Sequence, residues 1–362
     1  MRYLKLLILF LFSLQAIAKP IRVGIAGMTH NHVGQVFGYM DKKEEVEIVG
    51  FAEPNRELAL RLLKQHHLPD SLWFPDLETL ISKTRPEAVC AFNSIYEHLE
   101  VVKICAPKGI HVMVEKPLAV NMDHLNQMRA LVKKYGIHLL TNYETTWYPS
   151  HAKAWDMVKN EKRLGEIKKV VIMDGHKGPV EIGCSPEFLN WLTDPVMNGG
   201  GALIDFGCYG ADIMTWLMEG KRPVSVTAVT QHFKPEVYPK VEDEASIIVA
   251  YPDCQLIIQA SWNWPFDRKD TEIYGTKGIV IANKENKMKY VSGDRAGKES
   301  WIDLTPLTHE RSNVFAYLAA VINGRIEPGK DLSSFVVNEV VVEILSAARE
   351  SAQKGKTIYF KN

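Results

Sequence analysis

The chain has 362 residues, of which 46% are apolar and 24% charged. That is about two domains' worth of globular protein and excludes disorder as its main state. Lysine plus arginine (43) equals aspartate plus glutamate (43), and no basic run exceeds two residues, so the footprint of a nucleic-acid binder is missing and a small ligand is expected.

Arg2 and Lys5 precede an apolar run from Leu6 to Leu14, and Ala16-Ile17-Ala18 follows as a small-x-small cleavage pattern. Residues 1–18 are therefore expected to be a secretory signal, with an uncleaved anchor or a different start as the alternative. The run is too short to cross a bilayer, and no later stretch approaches the roughly twenty apolar residues of a spanning helix. Without a twin arginine or a cysteine at the cleavage point, the expected route is Sec export to the periplasm or the exterior, with no lipid anchor. Cys90, Cys105, Cys184, Cys208 and Cys254 lie far apart with no C-x-x-C pair, which argues against a zinc knuckle or a disulfide scaffold.

From Ile21 onward short apolar runs alternate with helix-length periodic segments. Strands are predicted at Ile21 to Gly27, Glu47 to Glu53, Ala88 to Asn93, His111 to Glu115 and His138 to Tyr143. Helices are predicted at Arg56 to His66, Glu97 to Pro107 and Met122 to Tyr135. Alternation of this kind specifies a parallel sheet with crossover helices, so residues 19–148 are read as an α/β, Rossmann-type nucleotide-binding domain.

After Pro149 the texture changes. A helix near Ala152 to Lys159 leads into β-branched runs at Ile167 to Met173, Val224 to Gln231, Ala245 to Tyr251, Gln255 to Trp262 and Glu272 to Tyr274, which read as a large, mostly antiparallel sheet. Helices near Ala202 to Met218, Ser312 to Ile322 and Ser334 to Gln353 are expected to cover one of its faces. Residues 149–362 thus form an α+β domain, and the cleft between the two halves is the natural ligand site.

The first strand runs into Gly27-Met28-Thr29-His30-Asn31-His32 ahead of a helix, the position where backbone amides and a helix N-terminus receive a pyrophosphate. Thr29 and His32 stand where a full fingerprint has its second and third glycines, and an ordinary strand-to-helix turn satisfies the same spacing. Glu53 closes the second strand, where an acid accepts from ribose hydroxyls and repels a 2′-phosphate, favouring NAD over NADP. Nearby Arg56 pulls the other way, and a helix N-terminal acid is the alternative role for Glu53. His30, Asn31 and His32 lie too close together in one turn to bind a metal alone, and no metal site is expected.

Glu115-Lys116-Pro117-Leu118-Ala119 at a strand end, Asn93 with His98 before the third crossover helix, and the run from Gly199 to Tyr209 together make the chain resemble the Gfo/Idh/MocA oxidoreductases over its whole mature length. The resemblance implies that Glu115, Asn93 and His98 border the cofactor and that Lys116 lies beside nicotinamide and substrate hydroxyl. It implies Asp205 and Tyr209, four apart on one helix face, as acid/base neighbours, tyrosine replacing the histidine of many relatives as in the glucose-fructose oxidoreductase and dihydrodiol dehydrogenase branch. Tyrosine serves as a base only where a cation lowers its pKa from about 10, and Lys116 is the expected cation. Asn142, Tyr143, Trp191 and Trp262 are the expected substrate wall, with Glu144, Trp147, His176 and Trp264 as further candidates and core packing as the alternative for each. Trp262 and Trp264 are expected on one side of a strand.

These features lead to an NAD-dependent oxidoreductase acting on a ring hydroxyl of a sugar or glycoside, C3 by family resemblance, with tightly held NAD. A dimer or tetramer is implied by resemblance alone. The alternatives are an NAD-dependent glycosidase working through transient C3 oxidation and elimination, and a sugar-binding relative without catalysis.

Overall fold

The computed structural model describes residues 19–40, 45–283, 287–294 and 297–360. The expected signal segment, 1–18, lies outside the described residues. Strands β1 (Ile21–Ala26), β2 (Val46–Ala52), β3 (Trp73–Phe74), β4 (Ala88–Ala91), β5 (His111–Glu115) and β6 (Leu139–Asn142) form a six-stranded sheet in the order β3-β2-β1-β4-β5-β6. Every pairing in it is parallel. The order reverses between β1 and β4, so the crevice beyond the carboxyl ends of these strands is the topological switch point at which ligands enter such sheets. The predicted strands are all present. The two-residue β3 and the helix Leu77–Thr84 escaped the sequence reading because so short a strand carries no period.

Strands β7 (Ile167–Gly175), β8 (Ser225–Gln231), β9 (Glu244–Ala250), β10 (Gln255–Ser261), β11 (Arg268–Gly275), β12 (Gly278–Ala282), β13 (Lys287–Ser292), β14 (Glu299–Asp303) and β15 (Ile358–Tyr359) build the second sheet. Its order is β14-β13-β12-β11-β7-β10-β9-β8-β15. All pairs are antiparallel except β7 with β10. Helices Gly207–Leu217 and Phe335–Lys354 pack with β7, β8, β9 and β10 in one large apolar core.

Three expectations are corrected. The helix predicted from Ala202 to Met218 is broken at Phe206 into Ala202–Asp205 and Gly207–Leu217. Helix Val314–Ile322 does not cover the second sheet. It is buried almost all round and its side chains join the core of β1 and β2, so the C-terminal half contributes a helix to the nucleotide domain. Trp262 and Trp264 lie past the end of β10, so the strand alternation that was to set them on one side does not reach them.

All five cysteines are free. Among the described residues no helix is long and apolar enough to cross a membrane.

Candidate active site at the junction of the two sheets

The turn after β1 is built for close approach. Gly27 has φ +79°, and a Cβ there would meet the Asn93 Cβ at 2.5 Å, so a side chain is excluded on both counts. The Met28 amide donates to Glu53 Oε2 at 2.7 Å and the Asn55 amide to Oε1 at 2.9 Å. Glu53 thereby ties the turn to the end of β2. Burial raises its pKa against the opposing pull of these two amides. Gly27, Thr29, Glu53 and Asn93 line a cavity of about 420 Å³. Two buried atoms on its wall, Thr29 Oγ1 and Asn93 Oδ1, have no hydrogen-bond partner. Orphaned polar atoms in a roomy cavity fit a polar ligand that completes them.

The same wall carries Asp76, Glu78, Glu97 and Glu100 beside Glu53, and none of its lining residues is Lys or Arg. Arg56, which the sequence left able to favour a 2′-phosphate, instead lies over the Trp73 indole, 5.3 Å from the ring centre.

Deeper in the crevice His30, His32, Glu115 and Asn142 form one network. Glu115 Oε2 accepts from His32 Nδ1 at 2.9 Å and Oε1 from Asn142 Nδ2 at 2.7 Å, while Trp147 Nε1 donates to Asn142 Oδ1. Sequence reasoning set the two histidines in one turn but missed that Glu115 joins them, for nothing in the chain marks that β5 ends opposite this turn. The donor atoms lie within 4.8 Å of one another, a spacing that can hold a metal. The hydrogen bonding argues for protons instead. His30 Nδ1 accepts from the His32 amide at 3.1 Å, which leaves the proton of a neutral ring on Nε2, the nitrogen nearer Glu115. A cation at Nε2 would require that proton on Nδ1, against the amide donor.

His30 is packed by Phe188 and Trp191, at 4.7 and 5.4 Å between ring centres. Trp191 is therefore a wall of the histidine pocket. His98 is buried, with Nδ1 against Leu118 O at 3.2 Å and Nε2 without a partner. Burial lowers its pKa to about 4, so the ring is neutral near pH 7.

Lys116 follows β5 directly and crosses to the second domain. Its Nζ donates to Asp205 Oδ1 at 2.5 Å and to the Asp205 carbonyl at 2.9 Å. The helix break explains the second bond: the Tyr209 amide donates to Phe206 O rather than to Asp205 O, which frees that carbonyl for the lysine. Trp262 Nε1 donates to Asp205 Oδ2 at 3.0 Å, so both carboxylate oxygens are held. Both ionic groups are nearly fully buried. Burial disfavours the Lys116 charge, but Asp205 outweighs it and its pKa is raised; burial likewise acts against the Asp205 charge, and Lys116 reverses that and lowers its pKa.

Tyr209 departs from the expectation. Lys116 Nζ sits 5.1 Å from the centre of its ring and Lys269 Nζ 5.0 Å, cations over an aromatic face. Burial, followed by the Glu144 carboxylate and the other acids nearby, raises the phenol well above its ordinary pKa. The direction is opposite to the lowering expected, and the Lys116 charge is held by Asp205.

The expected substrate wall is corrected too. Tyr143 and Trp262 are 0% exposed, and Asn142 is committed to Glu115, so these side chains back the site and present no open face. A small cavity beside Phe206 is lined instead by Glu144, Tyr148, His176, Arg268 and Lys269. Lys269 pairs with Glu144 and lies opposite Asp174 across β11 and β7. Sequence reasoning missed Lys269, Tyr148 and Asp174: only the sheet register sets Lys269 opposite Asp174, and Tyr148 joins them by its hydrogen bond to Glu144.

A Rossmann crevice with an acid-lined cavity, beside a buried ion pair that joins Lys116 of the first domain to Asp205 of the second, has the architecture of a nucleotide-dependent oxidoreductase. Residues 21–143 match the "oxidoreductase family, NAD-binding Rossmann fold" profile and residues 151–281 the "GFO/IDH/MocA C-terminal domain" profile, so the chain belongs to the Gfo/Idh/MocA oxidoreductase family. It is 26% identical over 234 residues to trans-1,2-dihydrobenzene-1,2-diol dehydrogenase of Xenopus tropicalis, covering 65% of this chain and 66% of that one. To the Sus scrofa dehydrogenase of the same name it is 23% identical over 269 residues, 72% of this chain and 73% of that one. The fold is shared with the aldose-aldose oxidoreductase from Caulobacter crescentus complexed with glycerol (TM-score 0.78, 20% identity, 94% of this chain and 100% of that one). It is also shared with an inositol dehydrogenase homologue from Azotobacter vinelandii complexed with NAD+ (TM-score 0.82, 18% identity, 95% and 98%).

Proposed function

We propose that the protein is an exported, NAD-dependent dehydrogenase acting on a ring hydroxyl of a sugar or glycoside, with C3 as the position attacked. The observation that carries this reading is the Lys116–Asp205 pair, held at 2.5 Å with both side chains almost fully buried. Gly27, Thr29, Glu53 and Asn93 would hold the adenosine half and Glu115, His30 and His98 would border the nicotinamide half; bound NAD supplies the hydride acceptor. Five acids and no cation along the cavity wall support NAD over NADP, since a 2′-phosphate there meets uncompensated negative charge.

The proton follows the lysine. As the substrate O–H gives its proton to Lys116 Nζ, Nζ would give one to Asp205 Oδ1, so the ammonium stays charged, the carboxylate is neutralised, and the pair holds the proton that the substrate loses. Tyr209, kept neutral by burial, donates its O–H to the developing oxyanion. Trp262 fixes the Asp205 carboxylate toward the lysine. The export reading rests on residues 2–18, and a cofactor retained in the crevice suits a compartment poor in free nucleotide.

The test is NAD reduction, followed by the near-ultraviolet absorbance of the reduced nicotinamide, with a panel of glucosides and the wild type beside Lys116→Met. The expected result is turnover with NAD well above that with NADP, a 3-keto product, and turnover lower by about 10²–10⁴-fold in the variant. Aglycone release without net reduction would replace this reading with the glycosidase. Absence of nucleotide binding would replace it with the sugar-binding relative.

A further inference from the structure

A second cavity of about 400 Å³ opens on the far side of the Gly199-Gly200-Gly201 strip, lined by Gly199, Thr230, Lys240, Glu242 and Arg349 among others. Its feature is an arginine whose guanidinium is in ion-pair contact with no carboxylate. Arg22, Arg61, Arg129, Arg222, Arg268 and Arg311 each hold a carboxylate. Arg349 is half-buried and, among the described residues, has no carboxylate within ion-pair distance; it donates through Nη1 to the Gly199 carbonyl at 2.6 Å. Glu242, the acid beside it, spends Oε1 on the backbone: it accepts from the Gly201 amide at 2.8 Å and the Leu203 amide at 3.1 Å, capping the helix that ends at Asp205. A guanidinium presents five donors in a planar fork, so several remain for a ligand, and the Glu242 charge that favours the cation makes no ion-pair contact with it.

We infer that this cavity is a binding site for a small oxyanion, a carboxylate or phosphate on a hydroxylated body of monosaccharide size, gripped by Arg349 with Lys240 at the rim and the Thr230 hydroxyl on the wall. The volume lies in the range of small-molecule sites. The site touches the chemistry through the glycine strip. Gly199, at φ +89°, is wedged against Val120, four residues beyond Lys116, and the strip runs straight into the helix whose last residue holds that lysine. An oxyanion that competes with the Gly199 carbonyl for Arg349 loosens the strip at its start, and with it the support of Asp205.

The experiment is calorimetric titration of the full-length mature protein, saturated with NADH, using glucose 6-phosphate, gluconate and glucose as probes. Saturable binding of either anion, with none for glucose, is expected; which anion binds identifies the head group. Arg349→Gln should weaken it at least tenfold and Lys116→Met should leave it unchanged, separating this cavity from the substrate cleft. Lys240→Glu, at the exposed rim, should also weaken it and serves if Arg349→Gln does not fold. No saturable anion binding overturns the proposal, as does binding lost in Lys116→Met and kept in Arg349→Gln. A change of sedimentation with Arg349→Gln in place of a change in ligand affinity would overturn it in favour of a carboxylate from a second copy of the chain.

Discussion

The cofactor cavity and the lysine cleft, side by side at one crevice, are built on opposite plans. The cavity leaves polar atoms without a protein partner, Thr29 Oγ1 and Asn93 Oδ1, which a ligand can complete. The cleft is satisfied before any substrate arrives: Lys116 and Trp262 each bond Asp205, and the break in the helix supplies a carbonyl to the ammonium. A site that recognises by adding bonds can tolerate openness. One that must move a proton needs its charges fixed beforehand in a dry place, where electrostatic interactions are strongest.

The comparison breaks most severely at Lys116. Lys116→Met removes the proton carrier, and kcat/KM should fall by about 10²–10⁴-fold in steady-state assays while NAD binding, measured by fluorescence titration, changes little. Asp205→Asn should do nearly as much to activity and more to stability. It strands a buried ammonium, an error of about 3–5 kcal/mol, read as a lower denaturant midpoint. The pH dependence of this contribution follows from the two shifts. The Asp205 pKa is lowered in the fold, so its contribution is present above the unfolded carboxylate value of about 3.9 and lost as pH falls through the folded value. The Lys116 pKa is raised, so its contribution is full below the unfolded value of about 10.4 and lost as pH rises through the folded one. Thermal melts of wild type minus Asp205→Asn should therefore show a plateau between those limits, with the difference closing at both ends.

The parallel sheet was legible because continuous apolar runs alternating with amphipathic segments admit little else, and His111–Glu115 and Met122–Tyr135 fall at their predicted bounds. Lys116, Asp205 and Tyr209 were legible as neighbours through motif resemblance. What each does to the others was not. Whether Lys116 serves Tyr209 or Asp205 depends on the break at Phe206, and neighbouring glycines with a single aromatic do not announce a freed carbonyl. Lys269 and Asp174 sit 95 residues apart in the chain and meet only through the pairing of β11 with β7. The burial of Tyr143 and Trp262 was equally hidden, since an indole reads alike whether it faces a sugar or an aspartate.

On the cavity side the effects should be smaller. Glu53→Gln keeps the shape of the wall and one acceptor for the Met28 amide but removes one of five negative charges. Selectivity for NAD over NADP, as the ratio of kcat/KM values, should drop by about tenfold, the equivalent of roughly 1.4 kcal/mol. An unchanged ratio would mean that Asp76, Glu78 and the other acids exclude the 2′-phosphate without it.

The smallest effect sharpens the comparison at the one place where the two plans touch. His32 bonds Glu115 from a half-exposed position, and Glu115 is held independently by Asn142. Removing the imidazole in His32→Ala therefore deletes one charge-assisted hydrogen bond at the rim, with a cost of about 1.5–3 kcal/mol at most, and leaves Lys116 paired. NAD affinity should weaken a fewfold with kcat nearly unchanged. Because the tautomer of His30 places a proton where a cation would need a lone pair, dialysis against a chelator should alter neither quantity. If chelation did abolish activity and zinc restored it, His30, His32 and Glu115 would have to be redrawn as ligands and the proton network abandoned.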